Sequence, residues 1–376
     1  MTDSEAERPQ PRRTPLTPVH QQLGATLTEF AGWLMPLRYG SETAEHNAVR
    51  SAAGLFDLSH MGEIAVTGPG APAALDYALV SELSALKPGR ARYTMICAPD
   101  GGVLDDLIVY RLTETEYLIV ANAANAEVVA EGLTARAAGF DAAVTDRTAD
   151  YALIALQGPH SASILAPLTD ADLGEVKYYA SYPARVAGRS VLLARTGYTG
   201  EDGFELFARP DDAVPLWAAI SEAGAREGLA PAGLAARDTL RLEAGMPLYG
   251  NELGPDLTPF DAGLGRVVRL DKASDFVGRE ALAQRAAATA QRQLVGLTLQ
   301  SRRVPRHGYE VAWDGVPCGV VTSGAPSPTL GVPVAMAYVR PDVAARTGEA
   351  GRLAVDARGR LEPATLVELP FYHRPA

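Results

Sequence analysis

The chain has few of the residues that build disulfide frameworks, metal centres or membrane spans. Two cysteines occur among 376 residues, Cys97 and Cys318, both in apolar stretches, so we expect buried thiols in a reducing compartment and no disulfides. The six histidines stand singly. His60 could act as a ligand or a base, but no second histidine lies at a metal-ligand spacing, so no metal site is predicted. There is no apolar run of about 18 residues, so we expect no spanning helix.

Positive charge is also scarce. The 34 lysines and arginines face 45 aspartates and glutamates, for a formal net charge of −11, which argues against nucleic acid or an anionic membrane as a partner. Residues 1–13 mix acids, arginine and proline without an apolar core. We expect a disordered tail there, not a secretory signal, and a cytoplasmic protein.

The pattern of predicted helices and strands changes near residue 286. Before it, the strand, Gly-Pro turn and apolar helix that begin at Ile64 recur 90 residues later at Ile154, which favours two related α+β halves within 14–285. After it, six short strands at close spacing predict a small barrel or sandwich over 286–376. These strands are expected at 294–299, 308–313, 318–322, 336–339, 352–355 and 362–367.

The most informative stretch is Arg195 to Glu205, where three glycines fall at every third position between apolar runs. It predicts two strands joined by a tight connection, and an ordinary β-hairpin is the plain interpretation. The residues of the connection also suggest a ligand-binding site. Tyr198 offers a stacking face, and the two oxygens of Glu205 can accept parallel N–H bonds. A flat heterocycle with a guanidine-like edge would suit that pair.

Further polar residues lie in apolar surroundings. Asp105 and Asp106 belong either to a turn or to an apolar strand, where a buried carboxylate needs a partner or a purpose. Asn122, at a strand end, either hydrogen-bonds a ligand or caps the next helix. Arg237 and Arg241 share one helix face. They form either a solvated ion pair with a neighbouring acid or, for one of them, a contact with a carboxylate in a cleft.

Six stretches carry a joint signal: 30–33 (Phe-Ala-Gly-Trp), 56–62, 101–109, 195–205, 233–250 and 323–331. Together they resemble the glycine cleavage T-protein (aminomethyltransferase) family, over almost the whole chain from about residue 14. The pair Ala325-Pro326 departs from the usual residues inside the last motif and puts the shape of that loop in doubt.

The resemblance implies an α+β fold, a three-domain cloverleaf with two interleaved folate-binding domains and a C-terminal antiparallel β-barrel. It implies a transfer of the methylene carbon from an S-aminomethyl-dihydrolipoyl carrier, the H-protein, to tetrahydrofolate. The products would be 5,10-methylenetetrahydrofolate, ammonia and the reduced carrier.

It also implies roles for particular residues. Asp106 matches the essential aspartate, and Glu205 the acceptor of the pterin N–H groups. The other residues expected at the folate site are Arg237, Tyr198, Tyr372, Tyr93, Met61 and Asn122. Apart from the resemblance, charge complementarity suggests that an acidic carrier would dock on basic residues, with a patch near Arg266, Arg269, Lys272 and Arg279 as the candidate.

Four alternatives remain at this point. A folate-binding iron–sulfur assembly factor would need a Lys-Gly-Cys-x-x-Gly-Gln-type motif, which neither cysteine provides. A demethylating module of a sarcosine- or dimethylglycine-type flavoenzyme would need a Gly-x-Gly-x-x-Gly turn after a strand, and the chain has none. The protein could still serve as a separate subunit beside such a flavoenzyme, which is the second-ranked hypothesis. A non-catalytic folate sensor and a purely structural protein are the remaining two.

Overall fold

The computed structural model describes residues 10–347, 349 and 351–375, which build two interleaved α+β units and a closed barrel. The first unit carries a six-stranded sheet in the order β11-β12-β13-β10-β4-β14. Its strands are β4 (Ala53–Asp57), β10 (Ala152–Gln157), β11 (Ser181–Val186), β12 (Arg189–Ala194), β13 (Gly203–Ala208) and β14 (Leu229–Pro231). The helices of this part are α1 (Thr17–Gln22), α2 (Glu42–Ser51), α5 (Ser161–Leu165), α6 (Ala213–Gly224) and α7 (Leu234–Glu243).

The second unit is inserted between β4 and β10 of the first, which makes the two units interleaved as expected. Its five-stranded sheet has the order β6-β7-β8-β5-β9. The strands are β5 (Gly62–Thr67), β6 (Arg90–Cys97), β7 (Val103–Arg111), β8 (Glu116–Ala121) and β9 (Ala143–Asp146), with the helices α3 (Ala71–Ala78) and α4 (Ala126–Ala137). One face of this sheet packs on α3 and α4, and the other joins a core shared with the first sheet.

The predicted internal repeat is present in both units. β5 leads into α3 and β10 into α5, each through a Gly-Pro turn. The turn glycines Gly68 and Gly158 have φ angles of 119° and 131°. A Cβ on Gly68 would lie 2.6 Å from the Asp141 carbonyl oxygen, and one on Gly158 would lie 2.5 Å from that of Ala52. Both turns therefore require glycine.

A small three-stranded sheet, in the order β1-β3-β2, lies at the start of the chain. It consists of β1 (Arg12–Arg13), β2 (Thr26–Phe30) and β3 (Trp33–Arg38). Of the tail expected over 1–13, residues 1–9 lie outside the described part. The end of that segment is ordered, because the Arg12 N–H donates to the Gly32 carbonyl at 2.8 Å and its guanidinium lies 4.6 Å from the centre of the Trp33 ring.

The six strands expected after residue 286 are all present and close into an antiparallel barrel, in the order β15-β18-β17-β16-β19-β20. They are β15 (Gln293–Leu299), β16 (Glu310–Trp313), β17 (Val316–Pro326), β18 (Pro333–Val339), β19 (Leu353–Asp356) and β20 (Leu361–Val367). The helix α8 (Arg279–Ala287) precedes the barrel, and α9 (Pro341–Ala344) follows β18. The unusual pair Ala325-Pro326 continues β17, paired with Val334 and Pro333.

Both cysteines are buried free thiols, as predicted, and burial raises the pKa of Cys97 to about 12. Among the helices of the described residues, none combines the length and the apolar character needed to cross a bilayer.

The Glu243 carboxylate at the end of α7 holds the first unit and the barrel together. It accepts hydrogen bonds from the Arg50 Nε (3.1 Å) and Nη2 (3.0 Å) on α2, and from the Thr329 hydroxyl (2.7 Å) and the Ser327 hydroxyl beyond β17. His46 Nε2 lies 3.1 Å from the same carboxylate. Burial opposes ionisation of Glu243, but the hydrogen bonds from His46, Ser327 and Thr329 outweigh it and lower the pKa to about 2.

Replacing this carboxylate should weaken the whole assembly. We expect Glu243→Gln to lower the free energy of unfolding at pH 7 by about 2–4 kcal/mol, because the buried Arg50 loses a charged partner. The matched control is Glu131→Gln on the exposed face of α4, which should change it by less than about 0.5 kcal/mol.

The pH dependence follows from the lowered pKa. Glu243 stabilises the fold above its unfolded value of 4.5, and that contribution is lost as the pH falls toward about 2. The stability difference between wild type and Glu243→Gln should therefore shrink across this window in urea titrations. A difference that is absent at pH 7 would contradict this role of Glu243.

Candidate active site

A cavity of about 550 Å³ lies where the ends of β7 and β8 meet the β12–β13 connection and α7. Its volume is within the range of small-molecule sites, about 300–1,000 Å³. The residues that line it include Phe30, His60, Met61, Tyr93, Asp106, Asn122, Asn125, Tyr179, Tyr198, Glu205, Arg237, Arg241 and Tyr249. The sheets of both interleaved units thus contribute to one site.

Asp106 lies within β7 and lines this cavity, so the interpretation of Asp105 and Asp106 as turn residues is wrong; Asp100 makes the turn contact with Gly102 instead. Asp106 Oδ2 accepts from the Tyr93 hydroxyl at 3.0 Å, and Oδ1 accepts from the Asn122 side-chain amide at 2.8 Å. Burial raises the pKa of Asp106, and these two hydrogen bonds offset part of that rise. A carboxyl with a raised pKa takes up a proton more readily than an ordinary aspartate.

Asp105 points away from the cavity and is fully buried. Its carboxylate accepts the Asn122 backbone N–H at 3.0 Å, the Asn122 side-chain amide at 2.8 Å and the Asn125 side-chain amide at 2.7 Å. Burial, followed by the nearby Asp106 charge, raises the pKa of Asp105 to about 7. Asn122 follows β8 directly and contacts both aspartates.

Glu205 lies on β13 and pairs with Ala194 across the predicted hairpin. Its Oε2 accepts from the Thr196 hydroxyl and, at 3.1 Å, from the Tyr110 hydroxyl. Tyr110 is also 2.8 Å from Thr196. Because Tyr110 can donate to Thr196 in place of Glu205, one acceptor position of Oε2 can be released to a ligand while Oε1 remains available.

The two arginines of α7 have different surroundings. Arg241 is buried and pairs with Asp238 at 2.8 Å and with the buried Glu252 at 3.1 Å, so the interpretation as a solvated ion pair is wrong for it. The Arg237 guanidinium instead lies 4.7 Å from the centre of the Tyr198 ring in the cavity. Arg237 is therefore the arginine placed to meet an anionic group.

The structure brings together seven of the eight residues proposed from the sequence. Met61, Tyr93 and Asn122 line the cavity with the four described above. Tyr372 is not among its lining residues: its ring covers the Arg50 guanidinium at 4.0 Å, and its N–H donates to the Glu243 carbonyl at 2.9 Å.

Sequence reasoning missed other residues of the site. Tyr110 and Thr196 support Glu205, and Tyr179 lines the cavity. Thr196 lies inside the hairpin motif and could have been found there. Tyr110 ends an apolar strand and carried no such signal, because its role depends on a strand of the other sheet.

Two of the four cations expected in a basic carrier surface, Lys272 and Arg279, are engaged by the backbone. Lys272 is buried, and its ammonium donates to the backbone carbonyls of Asp76, Leu79 and Ser81 at the end of α3. Arg279 likewise donates to three backbone carbonyls. Arg266 is exposed and Arg269 lies half-exposed beside Asp271, so a carrier surface built on these two arginines stays a prediction.

Comparison with known proteins agrees with the fold. The family model "GCVT N-terminal domain" matches residues 16–272, and "Glycine cleavage T-protein C-terminal barrel domain" matches residues 292–373. An aminomethyltransferase of Saccharopolyspora erythraea is 64% identical, with 97% of this chain and 99% of the relative covered. One of Streptomyces coelicolor is 64% identical, with 96% and 98% covered.

A solved structure matches as well. The glycine cleavage system aminomethyltransferase T from Bartonella henselae has a TM-score of 0.89 and 38% identity, with 96% of this chain and 98% of that chain covered. The class is thereby defined: the chain is an aminomethyltransferase. It belongs to the glycine cleavage T-protein family. The second-ranked hypothesis, a subunit beside a flavoenzyme, is not favoured.

His60 gives a direct test of the electrostatics of the cavity. The ring is buried, its Nδ1 has no hydrogen-bond partner in the described structure, and it packs edge-on to Phe30 at 5.6 Å. Burial, assisted by the Arg237 charge, lowers the pKa of His60 to about 4. At neutral pH the imidazole is therefore uncharged.

We expect one histidine NMR signal to titrate with a midpoint near 4 and to be missing in His60→Gln. Because the folded value lies below the unfolded value of 6.5, His60 should reduce stability as the pH falls through this window. The other histidine signals provide the internal control. A midpoint above 6 for His60 would contradict the buried, Arg237-facing environment.

Proposed function

We propose that the cavity binds tetrahydrofolate and that Asp106 assists the transfer of a methylene carbon to it. The donor is the S-aminomethyl group on the dihydrolipoyl arm of a carrier, the H-protein of the glycine cleavage system. The carbon–nitrogen and carbon–sulfur bonds of the donor break, and two carbon–nitrogen bonds form on the folate. Its two N–H protons leave on ammonia and on the dihydrolipoyl thiol, so the products are 5,10-methylenetetrahydrofolate, ammonia and the reduced carrier.

The observation that carries this proposal is that Asp106 and Glu205 both line one cavity of suitable volume. Glu205 is an acceptor with an available oxygen, which suits the 2-amino and ring N–H donors of a pterin. Tyr198 and Arg237 form an adjoining stacked pair, 4.7 Å apart. We assign Glu205, Tyr198 and Arg237 to folate binding, together with Met61, Tyr93 and Asn122.

Asp106 is assigned to the proton transfers. The reaction moves two protons from folate nitrogens, and a positioned carboxyl with a raised pKa is suited to accept and return them. Tyr93 holds one oxygen of this group, and burial raises the pKa of Tyr93 well above its ordinary value, so its hydroxyl stays a donor. Bringing the tethered carbon to the folate and excluding water would supply the rest of the acceleration.

The family is folate-dependent, and a lipoylated H-protein is the partner that the family implies. Tyr372, which does not line the cavity, remains a predicted ligand contact. We also assign the protein to the cytoplasm, a proposal supported by its two buried, free cysteines.

Substitution of Asp106 tests the catalytic part of the proposal. With aminomethyl-loaded carrier, Asp106→Asn should lower kcat for methylenetetrahydrofolate and ammonia formation about 100-fold or more, the range of a positioned acid–base group. Folate binding by calorimetry should persist. Asp100→Asn, on the β6–β7 turn, is the matched control and should turn over as wild type. Full activity of Asp106→Asn would rule out its role, and folate binding without turnover by the wild type would favour a sensor.

Substitution of Glu205 tests the binding part. Glu205→Gln should weaken folate binding about 10- to 100-fold, because an amide replaces a charged acceptor worth about 1.5–3 kcal/mol. The control, Glu222→Gln on the exposed face of α6, should bind folate normally. Unchanged affinity of Glu205→Gln would place the pterin elsewhere.

A further inference from the structure

Two neighbouring carboxylates on one strand share a single amide. Successive side chains of a strand point to opposite faces, and Asp105 and Asp106 do so: Asp106 lines the cavity and Asp105 is buried behind it. The β7–β8 pairing has its last partners at Ile108 and Val120. Beyond them the strands separate, and Asn122 enters the gap, where its amide lies 2.8 Å from both Asp105 Oδ1 and Asp106 Oδ1.

Asp105 holds the turn that carries this amide. It accepts the backbone N–H of Asn122 on Oδ2 and the side-chain amides of Asn122 and Asn125 on Oδ1. Three N–H donors converge on it. An ionised carboxylate has only acceptors and satisfies all three, whereas an amide in its place would turn an NH₂ group toward at least one donor. The orientation of Asn122, and hence its bond to Asp106, depends on Asp105.

We propose that Asp105 is a positioning residue for the transfer reaction: it fixes the Asn122–Asn125 turn so that Asn122 holds the Asp106 carboxyl in place. This inference rests on the proposed catalytic role of Asp106. Asp105 itself does not touch the substrate. Its ionisable neighbours are Asp106 and Tyr249, and those of Asp106 also include Tyr93, Tyr179 and Tyr198.

The burial of a carboxylate at position 105 gives this role a second readout. Burial of an acid disfavours its charged form, and the pKa of Asp105 is raised to about 7. The aspartate pair therefore carries an exchangeable proton near the pH at which the tyrosines around it, all with raised pKa values, remain neutral. The pH profile of the reaction is thus a readout that a purely structural residue would leave unchanged.

The experiment compares Asp105→Asn with Asp100→Asn in the full-length protein. Asp100 lies on the same β-hairpin, and its carboxylate contacts Gly102 rather than Asn122 or Asp106. For Asp105→Asn we expect kcat to fall about 10- to 100-fold, part of the contribution of a positioned acid–base group. The KM for tetrahydrofolate should stay within about threefold, because Glu205 and Arg237 are untouched.

The acidic limb of the kcat–pH profile should move for Asp105→Asn and stay at its wild-type position for Asp100→Asn. Asp106→Asn, measured alongside, separates the two proposals. If Asp106→Asn loses turnover and Asp105→Asn behaves as Asp100→Asn, the positioning role is overturned while the catalytic assignment stands. If Asp106→Asn keeps full activity, the proposed function itself fails.

A second variant guards against loss of folding in Asp105→Asn. Asn125→Ala removes one of the three donors to Asp105 and leaves both aspartates in place. It should lower kcat in the same direction by a smaller factor and displace the acidic limb. A wild-type kcat and pH profile for Asn125→Ala would contradict the proposal.

Discussion

The packing of the first unit against the barrel depends on the hydrogen-bond network around the Glu243 carboxylate. Glu243 ends α7, the helix that also carries Arg237, and it binds α2 through Arg50 and the barrel through Ser327 and Thr329. Arg50 continues the network to the β12–β13 connection by donating to the Thr199 carbonyl at 2.7 Å. Arg50 also pairs with Glu201 of that connection at 2.8 Å. The connection that presents Tyr198 and the helix that presents Arg237 are thus joined through Arg50 and two buried anions, Glu201 and Glu243.

The site itself follows from the interleaving of two similar sheets. Because the second unit is inserted between β4 and β10, the two sheets share a core, and their polar strand ends open on one cavity. One sheet supplies Asp106 and Asn122, and the other supplies Glu205. Placing carboxylates in such surroundings is costly unless they are hydrogen-bonded. Each receives at least two donors, which offsets part of the cost of burying it.

Much of this could be predicted from the sequence where the signal is local. The hairpin, the repeated strand-turn-helix and the six barrel strands are each specified by glycines and alternating apolar residues within short stretches. Contacts between distant segments could not be predicted this way. Nothing near Tyr110 indicates that its hydroxyl reaches Glu205, and nothing near Lys272 indicates that it ends α3 rather than facing solvent. The same holds for Ser327 and Thr329: their motif stands out in the sequence, but their partner Glu243 lies 84 and 86 residues away.

A crystal structure with tetrahydrofolate bound would test the assigned site directly. The pterin ring should lie in the cavity beside Tyr198, with its amino group hydrogen-bonded to Glu205 and its reacting nitrogens next to Asp106. Folate bound outside this cavity, or with its reacting nitrogens remote from Asp106, would contradict the central claim that one cavity formed by both sheets binds the co-substrate and carries the catalytic carboxyl.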